Sequence, residues 1–146
     1  MSFLLDTTAV SESGKPRPNA GFMEWYETVA RVAEAREQVF VSVLTIGELD
    51  KGILKLDEGA FRDAVTARRD FILAEYPERI LPVDLSVARR WGEVADRHRR
   101  VIRTVGGIDE LLAATALVHD LTVVTRNVRH FEPSGCRVLS PWSGTA

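Results

Sequence analysis

Short apolar runs alternate with stretches of helical spacing along this chain, and that alternation leaves few folds open to it. The runs lie at 2–6, 39–41, 79–83, 121–125 and 136–139. They are largely continuous and rich in aliphatic or β-branched residues, as strands buried on both faces must be. Between them the apolar residues recur every three or four positions, the period of an amphipathic helix. Strands joined by helices pair in parallel through right-handed crossovers. The expected architecture is therefore α/β with a mostly parallel central sheet, in a single domain over 1–146.

Caps and breakers place the helices. Residues 11–13 can start a short helical turn, which Gly14-Lys15-Pro16-Arg17-Pro18 breaks. Asn19 suits the N-cap of a helix over 19–36, with Phe22, Trp25, Tyr26, Val29, Val32 and Ala33 on its apolar face. Ser42 or Thr45 caps the next helix, which carries Ile46, Leu49, Ile53, Leu54 and Leu56 inward. A helix over 60–74 turns Phe61, Ala64, Val65, Phe71 and Ile72 inward. Pro82 marks the third run as an edge strand. Asp84 or Ser86 caps a long helix with Val87, Trp91, Val94, Ala95, His98 and Ile102 on one face. After Gly106-Gly107 a helix over 108–119 holds Leu111, Leu112, Thr115 and Ala116 inward, and a helical turn follows over 128–131.

Composition narrows the function classes. A net charge of −2 gives no global attraction to nucleic acid, so such a partner needs a local patch. Cys136 is the only cysteine, which rules out an internal disulfide and a cysteine-based metal site. One free thiol suits a reducing compartment, and a cytoplasmic location is expected. No basic segment precedes the first apolar run and Asp6 interrupts it, so it reads neither as a signal peptide nor as a membrane span.

Three carboxylates stand where such a sheet puts its chemistry. Asp6 closes the first run, and ligands of open α/β sheets sit beyond the carboxyl ends of the strands. Glu48 lies in the early turns of the helix after the second run. Asp109 lies in the first turn of the helix that leads into the fourth. All three can converge at one sheet edge, where they would repel one another unless a cation compensates. Oxygen donors without His or Cys favour Mg2+ or Mn2+. Such an ion activates water and stabilises charge on a phosphoryl oxygen, so the implied chemistry is phosphodiester hydrolysis. Each acid also has an ordinary use. Asp109 can complement a helix dipole, Glu48 can be a solvated helix residue, and Asp6 can hold a turn.

Five segments in order carry a family likeness: Leu4-Leu5-Asp6-Thr7 with Val10-Ser11-Glu12; 42–49, Ser-Val-Leu-Thr-Ile-Gly-Glu-Leu; 109–116, Asp-Glu-Leu-Leu-Ala-Ala-Thr-Ala; Val124-Thr125-Arg126-Asn127-Val128; and Pro141-Trp142. Together they resemble the PIN-domain ribonuclease toxins of VapC type, over essentially the whole chain. The resemblance implies an α/β/α sandwich and a metal-dependent endoribonuclease. It also implies a cognate antitoxin over the active-site groove, and a homodimer. On it, Asp6, Glu48 and Asp109 are the acids that hold Mg2+ or Mn2+. The chain departs from the family after the fourth run, where a further acid is usual. Here Asn127 offers a carbonyl oxygen and His130 stands where aspartate is common, with Glu110 as a possible substitute ligand. Thr125 and Thr7 are candidates to orient a bound water or phosphate, and Arg126 and Ser11 to contact RNA or antitoxin.

Rival readings are fewer. A phospho-receiver domain needs an acidic pair after the first strand and a late lysine, and this chain has no lysine beyond Lys55. A helix-turn-helix over 42–56 conflicts with the flanking strands and the near-neutral charge. A PIN-fold module that binds RNA or antitoxin without turnover stays open, because the fourth acid is missing.

Overall fold

The structure is a computed structural model that describes residues 1–29, 32–101 and 106–144. Five strands make its sheet: β1 Phe3–Leu5, β2 Val39–Ser42, β3 Ile80–Leu81, β4 Thr122–Val124 and β5 Arg137–Leu139. Their order is β3-β2-β1-β4-β5 and every pairing is parallel. The Pro82 strand is at an edge, as its missing N–H requires. β1 is central, with Phe3 opposite Val39 on one side and Leu5 opposite Val124 on the other.

Both faces of the sheet are covered, which explains why the strands read as unbroken apolar runs. Phe3, Leu5, Val41 and Val124 face one cluster with Phe22, Leu49 and Ile72. Leu4 and Val123 face the other, with Val94, Leu112 and Phe131. The first layer is built from α1 Thr7–Ser13, α2 Ala20–Val29, α4 Val43–Lys55 and α5 Ala60–Glu75, with the short α3 Ala33–Arg36 leading into β2. The second is built from α6 Leu85–Val101, α7 Gly107–His119 and α8 Val128–Phe131.

Most caps act as the sequence indicates. Ser42 Oγ accepts from Leu44 N at 3.0 Å, Asn19 Oδ1 from Phe22 N at 3.1 Å and Asp84 Oδ1 from Val87 N at 3.0 Å. Two helices differ from expectation. The first begins at Thr7, because Asp6 caps it by accepting from Ala9 N, so residues 11–13 end the helix instead of starting one. The stretch 19–36 holds two helices, with Val32 extended at the start of α3 and half exposed. Residues 30–31 and Ile102 lie outside the described residues.

Several residues expected inside are outside. Leu54 is 77% exposed and Phe61 68%, while Phe71, Trp91 and Val32 are also open to solvent. Ile72 is the one buried residue of α5. Helical spacing names an apolar face but not whether the same chain covers it. Trp25 and Tyr26 belong to the core, with Trp25 edge-on to Phe3 at 5.3 Å and Tyr26 stacked on Phe22 at 5.7 Å. Among the described residues no helix is long and apolar enough to cross a membrane.

Candidate active site

The chain steps outward from β1 through β2 to β3, then returns to β4 on the other side of β1. That reversal opens a crevice at the carboxyl ends of β1 and β4, the usual ligand position in open α/β sheets. Asp6 follows β1 directly and its N–H donates to Val124 O at 3.1 Å, so it sits at the crevice. Thr125 follows β4 directly and donates its hydroxyl to Asp6 Oδ2 at 2.5 Å. Asp6 Oδ1 accepts from Thr8 Oγ1 at 2.6 Å and from Ala9 N at 2.9 Å. The side chain is thus fixed on both oxygens, and Asp6 is 3% exposed.

Its electrostatics are not settled by those bonds. Burial pushes the Asp6 carboxyl up, and this outweighs the hydrogen bonds from Thr125, Thr8 and Ala9. The negative charge of Asp109 adds to the rise, so the first turn of α7 does bring Asp109 into electrostatic range. Glu48, on α4, accepts from Thr7 Oγ1 at 2.5 Å. Thr7 therefore ties the α4 acid to the residue beside Asp6.

Asp109 Oδ2 accepts from His130 Nδ1 at 2.8 Å. His130 thus lies against the acidic site. Glu110 turns the other way, toward the buried His98 at 3.4 Å, where burial lowers the imidazole pKa. Glu110 is therefore occupied away from Asp109, as the 100° step between helix neighbours requires. Asn127 is exposed, and its N–H donates to Thr125 Oγ1 at 2.9 Å. Arg126 is exposed, and its N–H donates to Thr8 Oγ1 at 3.1 Å. Ser11 is exposed on α1.

Thr8 is the residue that sequence reading missed. It donates to Asp6 and accepts from the loop after β4, so it clamps the two strand ends together. Its position two residues after the capping Asp6 was the available signal.

The donor set suits a hard cation in kind. Other acids have basic partners: Asp50 with Arg69 at 2.8 Å, Asp96 with Arg99 at 2.8 Å and Asp120 with Arg137 at 2.8 Å. Among the described residues, no lysine or arginine pairs with Asp6, Glu48 or Asp109, whose charges are left to hydroxyls, an amide and one imidazole. Hard oxygen donors with uncompensated charge are what Mg2+ or Mn2+ takes. The gathering is open, however. Among the described residues no three His, Cys, Asp or Glu side chains lie close enough together to hold a metal ion.

Comparison with known proteins assigns the family of the chain. The PIN domain family model matches residues 3–133, so the chain belongs to the PIN domain family. It is 29% identical to the VapC ribonuclease Y4jK of Sinorhizobium fredii, over 95% of this chain and 96% of that one. It is 31% identical to Toxin FitB of Neisseria gonorrhoeae, over 95% of this chain and 97% of that one. The crystal structure of FitAcB from Neisseria gonorrhoeae superposes with a TM-score of 0.83 at 31% identity, over 97% of this chain and 99% of that one.

Proposed function

We propose that this single-domain chain is the toxin of a toxin–antitoxin pair, an endoribonuclease that hydrolyses RNA phosphodiester bonds with Mg2+ or Mn2+. The observation that carries the reading is Asp6: buried at the switch point of the sheet, held on both oxygens, raised in pKa and, among the described residues, without a basic partner. The family and the relatives' names, a VapC ribonuclease and a toxin, support the RNA substrate and the toxin role. The proposed partners are the RNA, a cognate antitoxin and a second copy of the chain. The exposed Leu54, Phe61 and Phe71 offer apolar surface for the protein partners.

Asp6, Glu48 and Asp109 would hold the cation, the three acids without a lysine or arginine partner among the described residues. The cation supplies activated water and charge stabilisation at the phosphoryl group. Thr125 and Thr8 orient Asp6, Thr7 orients Glu48, and His130 steadies Asp109. The exposed Asn127 would offer its amide to the cation or its water, and the exposed Arg126 would meet a phosphate. A carboxylate not fully engaged can accept the proton of the attacking water.

A second reading, binding without turnover, is favoured by the open gathering and by His130 on Asp109. Incubation with total RNA in Mg2+, Mn2+ and EDTA, beside an Asp6→Asn variant, decides between them. Discrete fragments that need metal and vanish in the variant support the nuclease. Intact RNA with a folded protein that still binds metal moves the assignment to the binding module.

A further inference from the structure

Helix α4 carries more than Glu48. A groove of about 470 Å3 runs along it, lined by Gly47, Glu48, Lys51, Gly52, Lys55 and, from α7, Ile108. It opens from the site itself, since Glu48 forms its wall and Ile108 precedes Asp109. Residues 47, 51 and 55 share one face of α4 by their four-residue spacing.

Among the described residues, no close packing requires the two glycines. An added Cβ at Gly47 or Gly52 would meet nothing within 4 Å, and neither residue has a positive φ. Each weakens the helix relative to alanine. A helix that tolerates two such residues on one open groove keeps its backbone free for something that comes close from outside.

The lysines indicate what that is. The chain has three lysines, and Lys15 is paired with Glu12 at 3.2 Å. Lys51 and Lys55, both exposed, meet no carboxylate among the described residues. Four residues of helix rise about 6 Å, so the two ammonium groups form a short basic track leading away from three acids. Apolar wall with unpaired lysines and a bare backbone fits a strand with phosphates along one edge and sugars and bases on the other.

We propose that the α4 groove is the track for a single RNA strand leaving the active site, with Lys51 and Lys55 on its phosphates and Gly47 and Gly52 allowing close approach. This rests on the ribonuclease reading and adds where the substrate lies and that it is single-stranded.

The test uses the full chain carrying Asp6→Asn, in EDTA, with a labelled single-stranded RNA and its duplex as probes. Replacing Lys51 and Lys55 together by alanine should weaken single-strand binding roughly tenfold and flatten the slope of log K against log salt by about 1.4, or 0.7 per lost phosphate contact. Gly47→Gln with Gly52→Gln should raise thermal stability, because glutamine favours helix, yet weaken RNA binding. Opposite signs exclude a merely structural role. Arg99→Ala with Arg100→Ala, on exposed α6 positions, is the control for general charge loss.

The proposal is overturned if the lysine variant binds RNA with unchanged affinity and slope, or if the arginine control loses as much. Duplex bound as well as the single strand would also overturn it, as would a glutamate-rich peptide of equal charge binding as tightly as RNA. The ribonuclease reading fails separately. RNA that binds in the groove but survives wild-type protein with Mn2+ sinks the nuclease and leaves the track standing. Metal-dependent cleavage by the wild-type chain, with RNA affinity unaltered by the lysine substitutions, does the reverse.

Discussion

Asp6 and Glu12 lie at the two ends of one short helix, are equally buried, and differ in nearly everything else. Asp6 is 3% exposed and Glu12 4%. Burial pushes both carboxyls up. At Glu12 it is overcome by Trp142 Nε1 at 2.8 Å, Asn19 N at 3.0 Å and Lys15 Nζ at 3.2 Å, and the pKa ends below the ordinary range. At Asp6 three donors do not suffice, Asp109 opposes ionisation, and the pKa ends above it. Glu12 ties α1 to the start of α2 and to Trp142, and its charge is answered within the fold. The charge of Asp6 meets no basic group among the described residues. A buried acid that the fold leaves unanswered is positioned for a charge from outside, and the pair shows that burial alone does not tell the two uses apart.

The largest effect expected from breaking this contrast is at Asp6. Asp6→Asn should lower RNA cleavage by about 100-fold or more, since even outer partners of metal sites cost 10- to 100-fold. It should also raise the thermal midpoint of the metal-free protein by removing the cost of a buried charge and, to a lesser extent, its repulsion with Asp109. Lost activity with lost stability would instead make Asp6 structural. Glu12→Gln should do the opposite, costing about 2 kcal/mol in denaturant unfolding while leaving the cleavage pattern intact.

Acid titration of stability sharpens the same comparison. The folded pKa of Glu12 is depressed, so its contribution is present above the unfolded pKa and is lost as pH falls through the folded one. The folded pKa of Asp6 is raised, so ionisation of Asp6 costs stability as pH rises through that value. Glu12→Gln should therefore flatten the acid side of the profile. Asp6→Asn should remove the loss that accompanies ionisation above the ordinary carboxylate range. Chemical denaturation from pH 3 to 7, on the order of the carboxylate range, reads both.

Thr125→Val removes the donor to Asp6 Oδ2 and should weaken Mn2+ binding about tenfold in calorimetry. The smallest change is expected at His130, whose contact with Asp109 is partly exposed. His130→Asp should tighten Mn2+ modestly by adding an oxygen ligand. Weaker binding would instead show that the imidazole itself contributes to the site.

The acids were legible as candidates because strand ends and helix first turns can be read locally. Asp6 needed only the end of an apolar run, and Asp109 only a glycine break before a helix. Thr8 was legible only in its local bond to Asp6, because its second partner, Arg126 N, is remote in the chain. The role of Glu12 was hidden for the same reason, since Trp142 reaches it from the far end of the chain. The outward turn of Phe61 and Leu54 was likewise hidden, since spacing is a local quantity and coverage is not.

The sequence by itself determined the alternation of strands and helices, the parallel sheet, the edge position of β3 and the three acids at strand and helix ends. Each follows from short-range physics: side-chain period, caps and the missing N–H of proline. Only the tertiary structure decided that Asp6 has no basic partner among the described residues while Glu12 stays ionised among its donors, that Glu110 turns to His98, and that His130 meets Asp109. Those outcomes depend on which distant groups arrive within hydrogen-bonding range, and desolvation makes each arrival or absence count.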